Sequence, residues 1–365
     1  MMDFRDIARE EIKDLPVYSP GMDIDDVKRR YGVEEVIKLA SNENPVGPSP
    51  LAVGAVHRAV ADMSLYPDSS CAELRRRLSE KLGVEPERLL FGNGTDEIID
   101  LIFLAFFNPG DGAVMGDPTF SSYFLTGMTV GARIVYVPLR DFGHHPEEML
   151  GAVDESTRAL FVGTPHNPTG TICTTAEFER MLAGLPPEVI LVWDEAYCEY
   201  VDDPEYPQSI PYLERYPNLV VLRTFSKIYG LAGLRVGYAV ADPQVVDMLE
   251  RVRPPFNVNR LAQAAAAAAL EDSAHLEKSR EVNALGKRYL AEELDRLGMR
   301  PVPTQANFML FRYDHLTGNL AARLLEKGII VRDGAALGYP GYIRLTVGTP
   351  EQNQAVIGAI EEIVG

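Results

Sequence analysis

Lys227 lies in the stretch TFSKIYGLAGLR, residues 224–235, which combines residue types that could carry out covalent chemistry. It follows LVVLRTF, a predicted strand, and precedes two glycines that let the backbone pass close to a bound group. A lysine in a confined, partly apolar site loses its proton more easily and can attack a carbonyl carbon. Arg235 has no acidic residue within the stretch to neutralise it. Taken singly, Lys227 is also consistent with an exposed surface lysine, which is the commoner case.

A second segment that could bind a ligand is GNGTDEII, at the start of an amphipathic helical pattern. Its candidate residues are Gly94, Thr95 and Asp96. The first N–H groups of a helix are unpaired and its dipole is positive there, so a phosphate can dock without a lysine. A plain helix cap by Thr95 or Asp96 would explain the same residues.

Asn167 and Asp194 follow two further predicted strands. In TPHNPTG, two prolines and a glycine set a tight turn that leaves the Asn167 amide at a strand end. Asp194 ends an apolar strand, so its carboxylate is partly desolvated and needs a positive partner. Asp194 and Glu195 could be interpreted as a carboxylate pair, but adjacent strand residues point to opposite faces.

These four segments together describe a site for a phosphorylated aldehyde with a protonated ring nitrogen. Each segment follows a predicted strand or begins a predicted helix. Together they supply an anion-binding helix start, the Asn167 amide, the Asp194 carboxylate and the Lys227 amine. The combination predicts pyridoxal 5'-phosphate as the cofactor.

The elements that must position these residues are visible as alternating patterns. Short apolar, β-branched runs such as RIVYVPL, RALFVGTP and VILVWDEAY alternate with helix-period segments. This alternation predicts an α/β fold with a mainly parallel sheet covered on both faces, in which ligands bind at the carboxyl ends of the strands. A proline-rich arm precedes this block, and the last third has the pattern of a separate α+β domain.

The composition excludes several other classes of protein. The 365 residues carry a formal net charge of -18, which repels nucleic acid and anionic membrane surfaces. No apolar run is long enough to span a membrane, and the acidic N-terminus is unlike a signal peptide, so we expect a cytoplasmic protein. The three cysteines are scattered, and His144 and His145 lie in a loop without nearby ligands, so we expect no metal and a solvated histidine pair.

The chain resembles the fold-type I aminotransferases, and within them the histidinol-phosphate aminotransferases. The resemblance covers nearly the whole chain and rests on YSPG, LASNENPVGPSP, YPD, GNGTDEII, TPHNPTG, DEAY, TFSKIYGLAGLRVGY and RLTVGT, in that order. It implies a large domain with a mainly parallel seven-stranded sheet between helices, a smaller α+β C-terminal domain and an N-terminal arm. The implied boundaries are 1–30 for the arm, 31–268 for the cofactor-binding domain and 269–365 for the small domain.

The resemblance also implies roles for individual residues. Lys227 would form the imine with the cofactor and then move a proton as base and acid, Asp194 would hold the ring nitrogen, and Tyr197 would contact the ring oxygen together with Asn167. The remaining residues implied to bind cofactor are Gly94, Thr95, Asp96, Phe120, Thr224, Ser226, Arg235 and, from the other subunit of a homodimer with shared active sites, Tyr66. Phe120 stands where many relatives have tyrosine, so stacking on the ring is kept and a hydroxyl contact is lost.

For the substrate, the resemblance implies that Arg344 grips a carboxylate or a phosphate, with Arg332 as a second cation. The implied substrate-binding set also includes Tyr18, Asn44 and Asn167. The implied reaction is transamination of histidinol phosphate with 2-oxoglutarate, giving imidazole acetol phosphate and glutamate, in histidine biosynthesis.

Aromatic amino acid aminotransferases and threonine-phosphate decarboxylases share this scaffold and stay open as alternatives, because a fold does not determine a substrate. A non-catalytic regulatory module and a dinucleotide-binding oxidoreductase fit less well, since the chain is acidic and no GxGxxG follows its first strand.

Overall fold

The computed structural model describes residues 2–13, 15, 22–313 and 318–364. Its strands are β1 (Ile37–Lys38), β2 (Leu89–Gly92), β3 (Gly112–Asp117), β4 (Arg133–Pro138), β5 (Thr157–Gly163), β6 (Ile190–Asp194), β7 (Leu219–Thr224), β8 (Gly237–Ala241), β9 (Arg300–Pro301), β10 (Phe308–Arg312), β11 (Ile329–Ile330), β12 (Arg332–Asp333) and β13 (Tyr342–Thr346).

The α-helices of the described residues alternate with these strands through most of the chain. They are α1 (Ile24–Tyr31), α2 (Pro50–Ala59), α3 (Ala72–Leu82), α4 (Thr95–Phe106), α5 (Ser121–Thr129), α6 (Pro146–Gly151), α7 (Thr175–Gly184), α8 (Pro243–Val252), α9 (Arg260–Ala269), α10 (Ser273–Arg296), α11 (Leu320–Glu326) and α12 (Pro350–Val364).

A seven-stranded sheet in the order β2-β8-β7-β6-β5-β3-β4 forms the centre of the larger part of the molecule. The pairs between β4, β3, β5, β6 and β7 are parallel, whereas β8 is antiparallel to both of its neighbours. Residues of α2, α3, α7 and α9 pack on one face and residues of α4, α5 and α8 pack on the other. The predicted α/β architecture with a mainly parallel sheet is therefore confirmed.

Most central strands are buried on both faces, which explains their almost uninterrupted apolar sequences. Strand β2 was missed by the sequence analysis. Its four residues, LLFG, run directly into the turn before an amphipathic helix, and so short an apolar run cannot be distinguished from a helix by period alone.

A second, four-stranded antiparallel sheet in the order β12-β13-β10-β9 packs against α10, α11 and α12. Strand β1 pairs in parallel with β11, so the segment around Ile37 contacts the C-terminal part of the chain. The domain boundaries at residues 30 and 268 stay predictions.

No helix within these residues is both long and apolar enough to cross a bilayer.

Candidate active site

A cavity of about 1080 Å³ opens at the carboxyl ends of the parallel strands, where the α/β architecture predicts a ligand site. Its lining combines residues of the large sheet with β12, β13 and the loop after β1. The predicted site residues that it brings together are Thr95, Asp96, Phe120, Asn167, Asp194, Tyr197, Thr224, Ser226, Lys227, Arg235, Arg332 and Arg344.

Asp194 ends β6 with its side chain in this cavity, and it is only 6% exposed. The Tyr123 hydroxyl donates to its Oδ2 at 2.7 Å, and the Ala196 N–H donates to its Oδ1 at 3.1 Å. Burial raises the pKa of this carboxyl to about 6, and the two hydrogen bonds offset only part of the rise. A cationic group bound beside Asp194 would therefore stabilise its ionised form.

Glu195, the next residue, points to the opposite face of the sheet, as strand alternation predicts. It is fully buried, pairs with Arg223 at 2.7 Å and accepts a hydrogen bond from the Trp193 indole at 3.1 Å. The two neighbouring carboxylates therefore have separate environments and do not form a pair.

Lys227 lies beside Tyr197 within the cavity. Its Nζ is 5.4 Å from the centroid of the Tyr197 ring and donates to the Ser41 carbonyl at 3.3 Å. The Tyr197 hydroxyl accepts a hydrogen bond from the Asn42 amide at 3.0 Å. The lysine amine and a phenol oriented by a buried amide thus face the same space.

The N-terminus of α4 lacks a side-chain cap. Gly94 occupies the N-cap position with a φ of 81°. Neither Thr95 nor Asp96 caps the helix, so the alternative interpretation of these residues as a plain helix cap does not hold. Asp96 instead pairs with Arg235 at 3.0 Å, which supplies the acidic partner that is missing from the local sequence of the arginine. A Cβ at Gly94 would lie 2.5 Å from Arg235 Nη2, so any side chain here would displace the guanidinium, and the positive φ would strain it as well.

Thr224, which ends β7, and Ser226, two residues later, are buried hydroxyl residues that line the cavity. The Ser226 N–H donates to Thr224 Oγ1 at 3.1 Å, which holds the turn before Lys227. Together with the uncapped helix start, these hydroxyls can bind an anion.

Arg344 and Arg332 face each other across the antiparallel pair of β13 and β12. Directly opposite residues lie on the same face of a sheet, so both side chains leave the sheet on one face, and both line the cavity. Arg344 donates to Asn167 Oδ1 at 2.6 Å and to the Ala40 carbonyl at 2.7 Å, and these contacts orient it toward the cavity. Two neighbouring cations favour a ligand with a carboxylate or phosphate.

The structure does not bring every predicted site residue into the cavity. The Asn44 amide donates to the Ile228 carbonyl at 2.7 Å and to Ser279 Oγ at 3.0 Å, so its hydrogen bonds hold loops together. Tyr66 is 78% exposed and stacks on Phe256, away from the cavity of its own chain. Tyr18 lies outside the described residues.

His166 lies in the cavity wall beside Asn167 and donates to or accepts from Thr169 Oγ1 at 3.0 Å. The expectation that His144 is solvated was wrong, because it is buried with its ring edge-on to His166 at 4.7 Å. Burial lowers the pKa of both histidines, that of His144 to about 4, so both are neutral near pH 7. Their environment is that of packed neutral rings.

Two residues at this site were missed by the sequence analysis, Asn42 and Tyr123. Asn42 lies two positions before Asn44 in the same motif, and nothing local distinguishes the two amides. Tyr123 lies three positions after Phe120, so helical spacing could have placed both rings on one face of α5.

Comparisons with known proteins agree with this geometry. The profile of the family "Aminotransferase class I and II" matches residues 34–360. The histidinol-phosphate aminotransferase of Brevibacillus brevis is 48% identical over 98% of both chains. That of Moorella thermoacetica is 49% identical over 98% of this chain and 93% of its own. The crystal structure of histidinol-phosphate aminotransferase from Sinorhizobium meliloti, in complex with pyridoxal-5'-phosphate, superposes with a TM-score of 0.89 at 27% identity, over 97% of this chain and 96% of that one.

These findings confirm the resemblance that the sequence motifs indicated and the fold-type I architecture expected from it. The chain belongs to the class I and II aminotransferase family.

Proposed function

We propose that the protein is a pyridoxal-phosphate transaminase that transfers the amino group of histidinol phosphate to 2-oxoglutarate, giving imidazole acetol phosphate and glutamate, in histidine biosynthesis. The observation that carries the proposal is the convergence of Lys227, Asp194 and Arg344 on one cavity, from three distant parts of the chain. The named relatives at 48% and 49% identity support this choice of substrate.

The side chains of the cavity fit the cofactor at its phosphate end. The amides of Gly94 and Thr95, at the uncapped start of α4, would hold the phosphate together with Arg235, Thr224 and Ser226. The close approach of the Gly94 backbone to Arg235 leaves a cradle that a Cβ would fill. Asp96, paired with Arg235, would act by orienting that guanidinium.

Pyridoxal phosphate, when bound, supplies an aldehyde carbon that joins the substrate amine and a ring that withdraws electrons from the α-carbon. Asp194 would hold a proton on the ring nitrogen. Its buried carboxylate has no cationic partner among the described residues, so a protonated nitrogen would stabilise the ionised form. Asn167 and Tyr197 would donate to the ring oxygen, and Phe120 would cover the ring face. The Lys227 amine would attach the cofactor and then move the proton between the substrate α-carbon and the neighbouring cofactor carbon.

The arginine pair would select substrates by their anionic group. One guanidinium fork matches either two carboxylate oxygens or two phosphate oxygens, so Arg344 could serve glutamate in one half-reaction and the phosphate ester in the other. Arg332, opposite Arg344 in the ladder, would add a second charge for the phosphate.

We also propose a homodimer with shared active sites. Large apolar side chains are exposed on one stretch of the chain, with Met63 67%, Leu65 60% and Tyr66 78% accessible, and Phe256 stacks on this stretch. A cluster of this kind is typical of a protein interface. Tyr66 and Tyr18 would then reach the cavity of the partner. Cys71, Cys173 and Cys198 are free thiols, which supports a cytoplasmic location.

Covalent attachment of the cofactor tests the role of Lys227. After borohydride reduction and denaturation, mass spectrometry should find the cofactor on the peptide that contains Lys227. A Lys227→Ala protein should retain none, whereas a control with the exposed Lys278→Ala change should behave as wild type. Cofactor bound covalently to the denatured Lys227→Ala protein at wild-type level would refute the proposed mechanism.

Steady-state kinetics with 2-oxoglutarate as acceptor test the substrate. We expect kcat/KM for histidinol phosphate to exceed those for phenylalanine and tyrosine by about tenfold or more, because the two arginines gain a charge-assisted contact with the phosphate. A preference for phenylalanine would overturn the substrate assignment and favour an aromatic amino acid aminotransferase. Release of carbon dioxide from threonine phosphate would favour the decarboxylase.

A further inference from the structure

A second cavity, of about 530 Å³, lies between α3, the first turns of α10 and the loops that follow β6 and β7. We refer to it as the α10 cavity. It shares no lining residue with the candidate active site, and its polar lining consists of Lys81, Glu199, Arg223, Tyr229, Tyr238, Ser273, Glu277 and Arg280. It is therefore a separate space, with its own charges.

The inner wall of the α10 cavity has polar groups without full partners. Tyr229 is only 3% exposed, and its hydroxyl makes no hydrogen bond to any described residue, although its ring lines the cavity. The Glu199 carboxylate forms no ion pair within the described part of the chain, because the nearby Arg223 is engaged by Glu195 at 2.7 Å. Burial raises the pKa of Glu199, and the Arg223 charge offsets only part of the rise. A small cation with N–H donors can bind both groups, because the Arg223 cation that also lines this wall is already paired with the buried Glu195 carboxylate.

Two cationic side chains, Lys81 and Arg280, also line the α10 cavity. Lys81 donates to the Leu270 carbonyl at 2.8 Å, which leaves further N–H donors on its ammonium group. Arg280 donates through Nε to the Glu199 backbone carbonyl at 2.8 Å, and its Nη1 lies 3.6 Å from a Glu277 carboxylate oxygen, which leaves the Nη2 N–H groups without a partner among the described residues. These two groups suit a carboxylate.

The apolar part of the wall consists of Leu78, Leu82, Ala274 and Leu276. This wall offers an aliphatic side chain a surface away from water.

We propose that the α10 cavity is an effector site for an α-amino acid with an aliphatic side chain, whose ammonium group binds Glu199 and Tyr229 and whose carboxylate binds Lys81 and Arg280. Glu199 follows Tyr197 by two residues, and Tyr229 follows Lys227 by two residues. A ligand in the α10 cavity therefore contacts the two short segments that carry candidate catalytic side chains, and its binding changes the rate of catalysis.

Isothermal titration calorimetry of the cofactor-loaded protein with L-leucine tests the binding. We expect one site per chain. The analogues 3-methylbutylamine, which lacks the carboxylate, and 4-methylpentanoate, which lacks the amine, should each bind about tenfold or more weakly, since each loses a charge-assisted contact. Absence of leucine binding up to about 20 mM, or equal binding of either analogue, would overturn the proposal.

Matched variants locate the bound leucine. Glu199→Gln and Tyr229→Phe should each weaken binding, the first by about tenfold or more. The exposed Glu188→Gln change, outside both cavities, should leave binding unchanged. Arg344→Met, in the candidate active site, should also leave it unchanged. If Arg344→Met abolished binding and Glu199→Gln did not, leucine would occupy the active-site cavity and the proposal would be wrong.

The effect of leucine on catalysis is measured in a separate experiment and rests on the proposed transaminase function. Failure of the effector proposal is therefore distinguishable from failure of the transaminase proposal, because leucine binding is measured without turnover. Saturating leucine should change kcat by about twofold or more in wild type and in Glu188→Gln, and should not change it in Glu199→Gln, as a coupling of modest size requires. An unchanged kcat in wild type with leucine bound would refute the effector role. An equal effect in Glu199→Gln would refute it as well, because the effect would then arise in the active site.

Discussion

Asp194→Asn should make the cofactor-free protein more stable at neutral pH. The pKa of this carboxyl is about 6 in the fold against 3.8 for the unperturbed group, because burial penalises the charged form. A carboxyl whose pKa is raised by folding contributes stability that is fully present below about pH 3.8 and is lost as the pH rises through 6. The shift of about two pKa units corresponds to roughly 3 kcal/mol, which an amide does not lose because it does not titrate.

Urea unfolding of the cofactor-free proteins as a function of pH measures this difference. Between pH 4 and pH 7, the free energy of unfolding of Asp194→Asn relative to wild type should rise by about 2 kcal/mol, since the rest of the total is already lost at pH 4, where the unfolded carboxyl is partly ionised. Taking the difference between variant and wild type cancels the titration of all distant groups. Asp295→Asn serves as the matched control, since Asp295 is exposed and makes no side-chain hydrogen bond or ion pair to a described residue.

With the cofactor added, the order should reverse, because only wild type gains the attraction between the Asp194 carboxylate and a protonated ring nitrogen. A difference between Asp194→Asn and wild type that did not change with pH would refute the reasoning that burial raises the pKa of Asp194. Burial of the ionised Asp194 carboxylate would then have no free-energy cost for the cofactor to offset.

Three further changes test other contacts. Tyr123→Phe removes the hydrogen bond that stabilises ionised Asp194, so the pKa of Asp194 in the fold should rise further. In the same urea measurements the loss of stability with rising pH should still begin near pH 3.8 but should end about one pH unit higher, and an unchanged upper end would contradict this. Arg332→Met should lower kcat/KM for histidinol phosphate by about tenfold to a hundredfold and that for glutamate less, and equal losses would contradict a phosphate-directed role. Met63→Glu should convert a dimer to monomers in sedimentation velocity, whereas the similarly exposed Leu104→Glu should not, and a dimer in both would remove this surface from the interface.

Several features of the fold and site were predictable because their signals are local. The alternation of apolar strands with helical periods identified the parallel part of the large sheet, since strand and helix periods differ over a few residues. Asp194 ends a strand, Lys227 and Asn167 lie within four residues of one, and parallel strands present their carboxyl ends at one edge. These residues therefore converge in one cavity without any knowledge of side-chain packing.

Other features were decided only by contacts between distant positions. Asn42, and not Asn44, reaches Tyr197 across 155 positions of sequence, and both asparagines belong to one short motif. Arg235 finds its acidic partner in Asp96, 139 positions away, and Arg332 faces Arg344 only because β12 and β13 pair in one particular register.

The sequence by itself determined which residue types follow each strand, and hence the chemistry available at the strand ends. The tertiary structure decided which of those side chains meet, which are engaged by neighbours and which are buried deeply enough for their pKa to change. The physical reason is that periodicity and turn chemistry act over a few residues, whereas burial, ion pairing and register depend on every element packed around a group. Asp194 is an example of both kinds of feature. Its position at a strand end could be predicted from the neighbouring residues, whereas its raised pKa results from burial by the surrounding protein.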